Sequence, residues 1–576
     1  MSLTLPQMFL AQAARLGGRA VFHVKKKGQY QPVSWEQARV EIEEIALGLL
    51  DLGVQPGDRV AIFSENRPEW AIADLGILSA GAVTVPIYAT LTGQEAEYIL
   101  RHSGARVLFV STPEMMGKVI HLQKELDLKI VLFDAHYRVS GPRVWWFGEL
   151  LGLGNTASAQ QREDLARQIR QGNPEDPASI IYTSGTTGDP KGVVLTHANF
   201  LSNCEGVRQV IPIGEEDLLL SFLPLSHVFE RMAGYYFVLS VGGAIAYAEN
   251  LETVPQNLLE ARPTVITGVP RFYEKTHDRI LEAVRSAPPL KRALFHWALR
   301  AGSKNRIADR LVFSKLRARL GGRIRFCVSG GAPLPKPIAE FFYAAGILIL
   351  EGYGLTETSP VITCNRMDRF RFGTVGLAIP GVEVRIAADG EILTRGPHVM
   401  RGYYQNPAAT AEVIDAEGWF HTGDVGQLDP DGFLSITDRK KDLIKTSGGK
   451  MVAPQNLEAA LKADPLITDC VVIGDGRKYL TALVVPHLEK LQEFARGKEI
   501  SARSARDLVE NGQVHALVWE RVDRVNRSLA SFERIKKIAL LPEPFSLGSG
   551  ELTPTLKVKR RVVSERYADQ IEELYR

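Results

Sequence analysis

The sequence predicts an α/β protein with a large N-terminal domain and a small mobile α+β C-terminal domain. Strand-like and helix-like segments alternate through residues 1–437, which is typical of βαβ units and of mostly parallel sheets flanked by helices. After residues 438–442 the pattern changes to short strands and one long helix. A chain of 576 residues is also too long for a single core, so subdomains are expected. We therefore predict one domain at 1–437 and a second at 438–576 that rotates on a hinge at 438–442.

Hydrophobic periodicity places the elements in order. Ile42, Ile45 and Leu49 share one face of a helix that Gly53 ends. The next predicted elements are strands at 59–63, 83–87, 107–110 and 130–133, with a helix at 71–78. In the C-terminal domain we predict strands at 470–473, 482–485 and 538–541 and a long helix at 505–529.

Composition and charge disfavour several classes of protein. With 45% hydrophobic and 23% charged residues the chain is not expected to be disordered, and a net charge of +3 disfavours a nucleic-acid binder. The four cysteines are far apart, which predicts reduced thiols and neither a disulfide framework nor a zinc site. No signal peptide is recognisable, and the uncharged stretch 232–248 is shorter than the ~20 residues of a spanning helix. We expect a cytoplasmic protein without a transmembrane helix.

The segment 179–192, S-I-I-Y-T-S-G-T-T-G-D-P-K-G, predicts a phosphate site. Its apolar start should be a buried strand. The residues that follow offer backbone N–H groups and hydroxyls to an anion: Thr183, Ser184, Gly185, Thr186, Thr187 and Gly188. Lys191 adds a positive charge, but it follows Pro190 and so does not complete a Walker A loop. The alternative is an ordinary surface loop.

The segment 328–334, V-S-G-G-A-P-L, predicts one wall of a nucleotide site. Gly330, Gly331 and Ala332 are small enough to let a flat base lie against the backbone. A plain turn is the alternative.

The segment 350–358, L-E-G-Y-G-L-T-E-T, follows the apolar run 347–350 and predicts the metal ligand. Glu351, Gly352, Tyr353 and Gly354 lie in its first half, and the ring of Tyr353 can stack on adenine. Thr356 can bind a phosphate, and Glu357 is a hard oxygen ligand of the kind that Mg²⁺ accepts.

Single side chains complete the candidate site. Asp424 can accept two ribose hydroxyls, with Arg439 as the second ribose partner, although a solvated turn aspartate is the alternative. His227, in L-P-L-S-H-V-F-E-R at 223–231, could orient a carboxylate beside the segment 234–237, a wall for an acyl chain; a core histidine is the alternative. Lys557 lies in a basic run near the C-terminus that could equally be a solvated face.

Two patterns have competing interpretations. Gly152-Leu-Gly154 mimics a dinucleotide fingerprint, but no convincing strand precedes it, so we predict a linker. Residues 292–325 are strongly basic, with Asp309 as the only acid. They are either the solvated face of packed helices or a surface that contacts anionic lipid at the inner face of a membrane.

These segments occur in the order, and at roughly the separations, found in the adenylate-forming superfamily. T-S-G-T-T-G-D-P-K-G resembles the phosphate-loop signature of that superfamily, and the resemblance spans nearly the whole chain. L-P-L-S-H-V-F-E-R, S-G-G-A-P-L, D-P-K-G-V and L-T-P-T-L-K are most similar to long-chain fatty acyl-CoA synthetases. Leu556 stands before Lys557 where the superfamily commonly has glycine, which is similar to the long-chain group.

The resemblance implies a two-step reaction with ATP, a fatty acid and coenzyme A as partners and Mg²⁺ as cofactor. The acid would become an acyl-adenylate, and the coenzyme A thiol would then take the acyl group. Catalytic roles are implied for Lys557, His227, Glu357 and Thr183, with Glu357 and Thr183 at the metal. Lys441 resembles the hinge residue, and Ser447-Gly448-Gly449 resembles the loop that admits the thiol arm. The implied nucleotide and coenzyme A contacts are Thr183, Ser184, Gly185, Thr186, Thr187, Gly188, Lys191, Gly330, Gly331, Ala332, Glu351, Gly352, Tyr353, Gly354, Thr356, Asp424, Arg439, Lys441, Gly448, Gly449 and Lys557.

Two other functions compete with this interpretation. One is an adenylating ligase for another carboxylate, medium-chain or aryl, or for another acceptor. The other is a non-catalytic acyl or nucleotide sensor on the same fold. A sensor predicts a damaged site, whereas Thr183, Glu357, Asp424, Arg439 and Lys557 are all present.

Overall fold

A computed structural model describes residues 3–134, 141–183, 189–500, 502, 504–546, 548–552 and 558–576. The chain forms two compact units. The larger comprises Met1–Val384, Thr394–Phe420 and Pro430–Leu434, and the smaller comprises Arg385–Leu393, His421–Asp429 and Ser435–Arg576. A large α/β part with a separate C-terminal part confirms the predicted fold class. The boundary at 437/438 and the rotation about 438–442 remain predictions.

The strands follow in chain order. They are β1 (Ala20–Lys26), β2 (Gln29–Ser34), β3 (Arg59–Phe63), β4 (Val83–Ile87), β5 (Val107–Val110), β6 (Lys129–Leu132), β7 (Val144–Trp146), β8 (Pro177–Thr183), β9 (Lys191–Thr196), β10 (Leu218–Ser221), β11 (Ala244–Tyr247), β12 (Val265–Gly268), β13 (Phe326–Ser329), β14 (Ile349–Gly354), β15 (Val361–Cys364), β16 (Leu377–Ala378), β17 (Glu383–Ile386), β18 (Glu391–Arg395), β19 (Gly402–Tyr403), β20 (Phe420–Leu428), β21 (Leu434–Arg439), β22 (Ile444–Lys445), β23 (Met451–Val452), β24 (Ile467–Ile473), β25 (Leu480–Pro486) and β26 (Ile535–Leu540).

The α-helices are numbered in the same way. They are α1 (Leu5–Leu16), α2 (Trp35–Asp51), α3 (Pro68–Ser79), α4 (Gly93–Ser103), α5 (Pro113–Gly117), α6 (Phe147–Asn155), α7 (Ala159–Arg170), α8 (His197–Arg208), α9 (Phe237–Ser240), α10 (Val254–Ala261), α11 (Pro270–Arg285), α12 (Pro289–Ala301), α13 (Arg306–Ala308), α14 (Ser314–Ala318), α15 (Lys336–Ala344), α16 (Pro407–Val413), α17 (Pro454–Lys462), α18 (Leu488–Gly497), α19 (Ala505–Glu510), α20 (Gly512–Asn526), α21 (Arg560–Arg566) and α22 (Ala568–Tyr575). In the described ranges, two turns are 3₁₀-helical (Ile120–Leu122 and Thr356–Thr358), and two are π-helical (Glu230–Tyr236 and Asp309–Phe313).

One sheet of the larger unit has the strand order β16-β15-β14-β13-β12-β10-β11-β1-β2 within the described residues. Its middle, from β14 to β1, is parallel, and β2, β15 and β16 extend its two edges in antiparallel pairs. Val265 and Phe326 face one apolar core while Ile266 and Cys327 face another. The central strands are therefore buried on both faces, which explains their nearly continuous apolar sequences.

A second sheet of the larger unit has the order β19-β9-β8-β4-β3-β5-β6-β7 in the described part of the chain. The neighbouring strands β8, β4, β3, β5, β6 and β7 run parallel to one another. Strands β9 and β19 extend the sheet beyond β8 in antiparallel pairs. The strands predicted at 59–63, 83–87 and 107–110 are confirmed, because every residue of β4 and β5 is buried and the apolar runs mark their full length. Strand β6 begins one residue earlier than predicted. Ser34 caps α2, accepting a hydrogen bond from the backbone N–H of Gln37 at 3.1 Å.

The smaller unit contains the three-stranded sheet β24-β25-β26, with β24 antiparallel and β26 parallel to β25. Helices α17, α18 and α20 contribute Leu457, Leu491 and Val518 to its core. Most residues of a four-stranded sheet, β17-β18-β20-β21, also belong to this unit. This sheet was not predicted.

Two predictions about the fold are wrong. Gly152 and Gly154 lie inside α6 after β7, so the predicted linker is a helix. A Cβ on Gly154 would lie 1.9 Å from the carbonyl oxygen of Glu44, so the glycine lets α6 approach α2 closely. The helix predicted at 505–529 is two helices, because Asn511 interrupts it and caps α20.

The uncharged stretch 232–248 is divided between a π-helical turn, α9 and β11. Across the described ranges, no helix combines the length and apolar character needed to cross a membrane.

Candidate active site

Strands β8 and β9 form the two sides of the predicted phosphate hairpin. Thr183 and Lys191 are register partners across this antiparallel pair, and the Thr183 hydroxyl lies 3.5 Å from the Lys191 carbonyl oxygen. Gly192 follows, and a Cβ there would lie 2.7 Å from Cγ2 of Ile180 and 3.2 Å from the Tyr182 ring. The hairpin therefore needs a glycine at its exit. The predicted cradle itself, residues 184–188, lies outside the described residues.

Tyr403 connects the predicted phosphate lysine to the predicted metal ligand. Its hydroxyl donates a hydrogen bond to Oε1 of Glu357 at 2.9 Å, and the Nζ of Lys191 lies 4.9 Å from its ring centroid. Burial and the neighbouring Glu357 carboxylate raise the pKa of Tyr403, so the phenol remains a hydrogen-bond donor. Sequence reasoning missed Tyr403, because its only signal was an aromatic pair after a glycine in R-G-Y-Y.

The donor set at this position fits a hard cation. Mg²⁺ takes oxygen ligands, usually one or two from the protein and the rest from phosphate and water. The Glu357 carboxylate and the Thr183 hydroxyl supply such oxygens, and both side chains are half-buried. The 3₁₀ turn that carries Glu357 contacts β9, which starts at Lys191. Glu357 and Thr183 are thus the residues that would hold Mg²⁺.

The two predicted base-binding segments lie side by side. Gly330 directly follows β13, and Ser329 is the register partner of Glu351 in the parallel strand β14. In parallel sheets the carboxyl ends of neighbouring strands form ligand crevices. Gly330 accommodates the Phe229 ring, which a Cβ would meet at 3.0 Å, and Gly331 has φ +82°. The absence of a side chain at Gly330 therefore makes room for the Phe229 ring, and the contact of this segment with a base remains a prediction.

Buried side chains occupy the end of β14. Burial raises the pKa of the Glu351 carboxyl to about 7, although the backbone N–H of Leu334 opposes this by hydrogen bonding at 3.4 Å. Tyr353 is 9% exposed. A Cβ on Gly354 would lie 1.7 Å from the carbonyl oxygen of Pro360. Gly352 and Thr356 are half-buried, and Ala332 is exposed.

His227 lies in the segment after β10. It is half-buried, its Nδ1 accepts a hydrogen bond from the Phe229 backbone at 3.1 Å, and its ring centroid lies 6.4 Å from that of Tyr88. Tyr88 follows β4 of the other sheet. His227 therefore bridges the carboxyl ends of the two sheets and is not a fully buried core histidine.

The π-helical turn after His227 contains an unexpected buried carboxyl group. Ser221 and Thr267 donate hydrogen bonds to the two carboxylate oxygens of Glu230, at 2.6 and 3.0 Å. Burial raises the pKa of Glu230 to about 7, against these two hydrogen bonds. The next residue, Arg231, forms a fully buried ion pair with Asp74. Both residues lie in the π-helical turn (Glu230–Tyr236) that follows the segment of His227.

In the smaller unit, Asp424 and Arg439 are adjacent. Asp424 lies in β20 and is 4% exposed, and its Oδ1 is 3.1 Å from Nε of Arg439 in β21. The alternative of a solvated turn aspartate is wrong, because the residue lies inside a strand. The pair presents a carboxylate and a guanidinium from neighbouring strands, which suits two vicinal hydroxyls.

The predicted hinge follows directly. The Lys440 ammonium contacts Asp389 at 2.6 Å and Glu391 at 2.9 Å, and its backbone N–H donates to Gly423. Lys441 is exposed, and the backbone N–H groups of Asp442 and Leu443 donate to the Arg439 carbonyl oxygen at 2.9 and 3.0 Å.

The remaining predicted contacts of the smaller unit lie in turns. Gly448 and Gly449 are exposed between β22 and β23, and Gly449 has φ +74°. Lys557 lies outside the described residues. The segment that contains it, 553–557, is flanked by an antiparallel bridge between Leu552 and Val558.

The chain is similar to known proteins over most of its length. The model of the AMP-binding enzyme family matches residues 9–404, and that of the AMP-binding enzyme C-terminal domain matches residues 441–576. Long-chain-fatty-acid–CoA ligase FadD15 of Mycobacterium bovis is 39% identical over 570 residues, covering 95% of this chain and 93% of the relative. Long-chain-fatty-acid–CoA ligase 5 of Rattus norvegicus is 34% identical over 597 residues, covering 97% and 86%.

Among solved structures, the adenylation domain of a carboxylate reductase from Mycobacterium chelonae has the same fold. It superposes with a TM-score of 0.81 at 23% identity, covering 100% of this chain and 91% of that one.

Proposed function

The chain belongs to the AMP-binding enzyme family, and from this premise we propose that it is an AMP-forming long-chain fatty acid–CoA ligase. It activates a fatty carboxylate with Mg·ATP and transfers the acyl group to coenzyme A. The observation that carries the proposal is the joining of Lys191 and Glu357 through Tyr403 beside the hairpin of Thr183. The long-chain substrate class is supported by the relatives, which are long-chain ligases over nearly the whole chain.

In the first step, a carboxylate oxygen of the fatty acid attacks the α-phosphorus of ATP. The bond from that phosphorus to the bridging oxygen of the β-phosphate breaks, and pyrophosphate leaves with the electron pair. The triphosphate repels the incoming carboxylate, so catalysis requires positioning and charge stabilisation. Lys191 and Lys557 supply positive charge, and His227 orients the carboxylate. Bound Mg²⁺, held by Glu357 and Thr183, would neutralise phosphate charge.

In the second step, the coenzyme A thiolate attacks the acyl carbon of the acyl-adenylate. The bond from that carbon to the phosphate oxygen breaks, AMP leaves, and a thioester remains. The protein's own cysteines, Cys204, Cys327, Cys364 and Cys470, are all buried and their thiol pKa values are raised by burial. The nucleophile is therefore the thiol of coenzyme A itself.

The two steps use different poses of the C-terminal domain in this proposal. The exposed Lys441 directly follows the anchored Lys440, which supports a rotation that starts there. Gly448 and Gly449 then border the entry of the thiol arm, with the exposed turn and the positive φ of Gly449 giving room for it.

A peripheral membrane contact of the basic segment 292–325 is a further part of the proposal. Ala298, Phe313 and Leu316 are buried in the core beneath it. The segment therefore consists of packed helices with one solvent-facing side, and the proposal concerns that side. The solvent-facing side of this segment carries exposed cations and the exposed apolar residues Trp297, Ile307 and Leu311, and Leu290 just before it is exposed as well. Cations mixed with exposed apolar side chains suit an anionic lipid surface in the cytoplasm.

A substrate ladder tests the function. Purified full-length chain is given ATP, Mg²⁺ and coenzyme A with acetate, octanoate, benzoate, palmitate or oleate, and AMP release is measured. We expect the highest kcat/KM for palmitate and oleate. A preference for benzoate or octanoate would establish the rival ligase, and ATP binding without AMP release from any acid would establish the sensor.

A further inference from the structure

We propose that Tyr403 is a positioning residue that sets Glu357 for metal-bound ATP through its hydroxyl and holds Lys191 through its ring. This inference rests on the proposed function, because it concerns the site that binds Mg·ATP. No contact of Tyr403 with substrate is implied.

The backbone of Tyr403 is fixed relative to the phosphate hairpin. Strand β19 pairs with β9, with Tyr403 opposite Val193. The next backbone N–H, of Tyr404, donates to the carbonyl oxygen of Gly192 at 2.7 Å. On the other side, the Tyr403 N–H donates to the Thr410 hydroxyl at 2.9 Å. The backbone that carries the Tyr403 ring therefore cannot move unless the β8–β9 hairpin moves with it.

The Tyr403 hydroxyl restrains the Glu357 carboxylate. Its 2.9 Å hydrogen bond reaches Oε1, while the Glu357 carbonyl oxygen accepts from the Met400 N–H at 2.8 Å. Both ends of Glu357 are thus held by the segment 400–403. Partners of this kind orient a carboxylate ligand, and losing one typically costs about 10–100-fold in metal affinity or activity.

The Tyr403 ring has a separable role. The Lys191 Nζ lies 4.9 Å from the ring centroid, within range of a cation–π interaction. Removing only the hydroxyl leaves this contact, whereas removing the ring abolishes both.

Tyr404 provides a matched control. Tyr404 lies just beyond β19, and its ring packs against His102 at 5.8 Å between centroids. Loss of its hydroxyl changes the same chemistry one residue away without touching Glu357.

The experiment measures ATP binding calorimetrically to the full chain, once with EDTA and once with excess Mg²⁺. For Tyr403→Phe we expect wild-type affinity in EDTA and a metal-dependent gain in affinity that is about 10–100-fold smaller. Tyr403→Leu should in addition weaken binding in EDTA by about 2–5-fold. Tyr404→Phe should match wild type in both conditions, and thermal unfolding checks that each variant is folded.

A second measurement tests that Tyr403 acts through Glu357. In a Glu357→Gln background, Tyr403→Phe should cause no further loss of the metal-dependent gain, whereas additive losses would overturn the inference. An unchanged gain in Tyr403→Phe, or equal losses with EDTA and with Mg²⁺, would also overturn it. A wild-type chain whose ATP affinity does not respond to Mg²⁺ would instead contradict the proposed function.

Discussion

The buried carboxyl of Glu230 predicts a specific pH dependence of stability. It is fully buried, and its hydrogen-bond partners are the hydroxyls of Ser221 and Thr267. Gly234 closes over it, since a Cβ there would lie 2.5 Å from the Glu230 carboxyl carbon. The substitution Glu230→Gln keeps the shape and removes the charge.

The magnitude follows from the pKa of Glu230, which burial raises from 4.5 to about 7. Below pH 4.5 both folded and unfolded chains hold the proton, so the group contributes no pH dependence. Between about 4.5 and 7 the unfolded chain loses its proton first, so stability falls as pH rises; above 7 the fall is complete. The total is on the order of 3 kcal/mol, at 1.36 kcal/mol for each pKa unit.

The assay is denaturant unfolding of wild type and Glu230→Gln between pH 4 and pH 8, without ligands. We expect the variant to gain about 3 kcal/mol relative to wild type on going from pH 4 to pH 8. Glu216→Gln, at a carboxylate whose side chain is 90% exposed, serves as control and should leave the profile unchanged. Parallel profiles for Glu230→Gln and wild type would refute the reasoning.

Three further predictions concern the reaction and its location. Lys557→Ala should slow adenylation by roughly 10²–10³-fold, the cost of one preorganised donor, and spare thioester formation from supplied acyl-adenylate; equal losses in single-turnover assays of both steps would contradict this. Lys441→Pro should slow thioester formation by restricting rotation while pyrophosphate exchange is retained, and a loss of exchange would contradict the assigned hinge. The chain should co-sediment with anionic vesicles at low salt and be released from them at high salt. A variant with Lys291, Arg292 and Arg306 changed to Gln should co-sediment less at low salt. Indifference to vesicle charge would refute the membrane contact.

The fold was predictable where burial is uniform. Strands β3, β4 and β5 were predicted to the residue, because their apolar runs are buried on both faces and end at turns. Gly154 led to the wrong prediction of a linker. This glycine allows α6 to approach α2 closely, and no local sequence pattern indicates such a contact. The break between α19 and α20 was missed, because a single capping side chain, that of Asn511, can divide an otherwise continuous helical pattern.

The candidate site was predictable from local motifs only in part. Asp424 and Arg439 were predicted as a pair from the sequence, and Oδ1 of Asp424 lies 3.1 Å from Nε of Arg439. The sequence did not indicate that Asp424 would be a buried strand residue. Tyr403 was missed, because its contact with Glu357 joins positions 46 residues apart and depends on strand pairing. The cradle at 184–188 and Lys557 lie outside the described residues, so their roles remain predictions.

Isotope exchange between labelled pyrophosphate and ATP tests the central claim most directly. With purified full-length chain, oleate and Mg²⁺, and without coenzyme A, we predict label in ATP at a rate that falls to background when oleate or Mg²⁺ is omitted. Absence of exchange in the complete mixture, from a chain that binds ATP, would contradict the account.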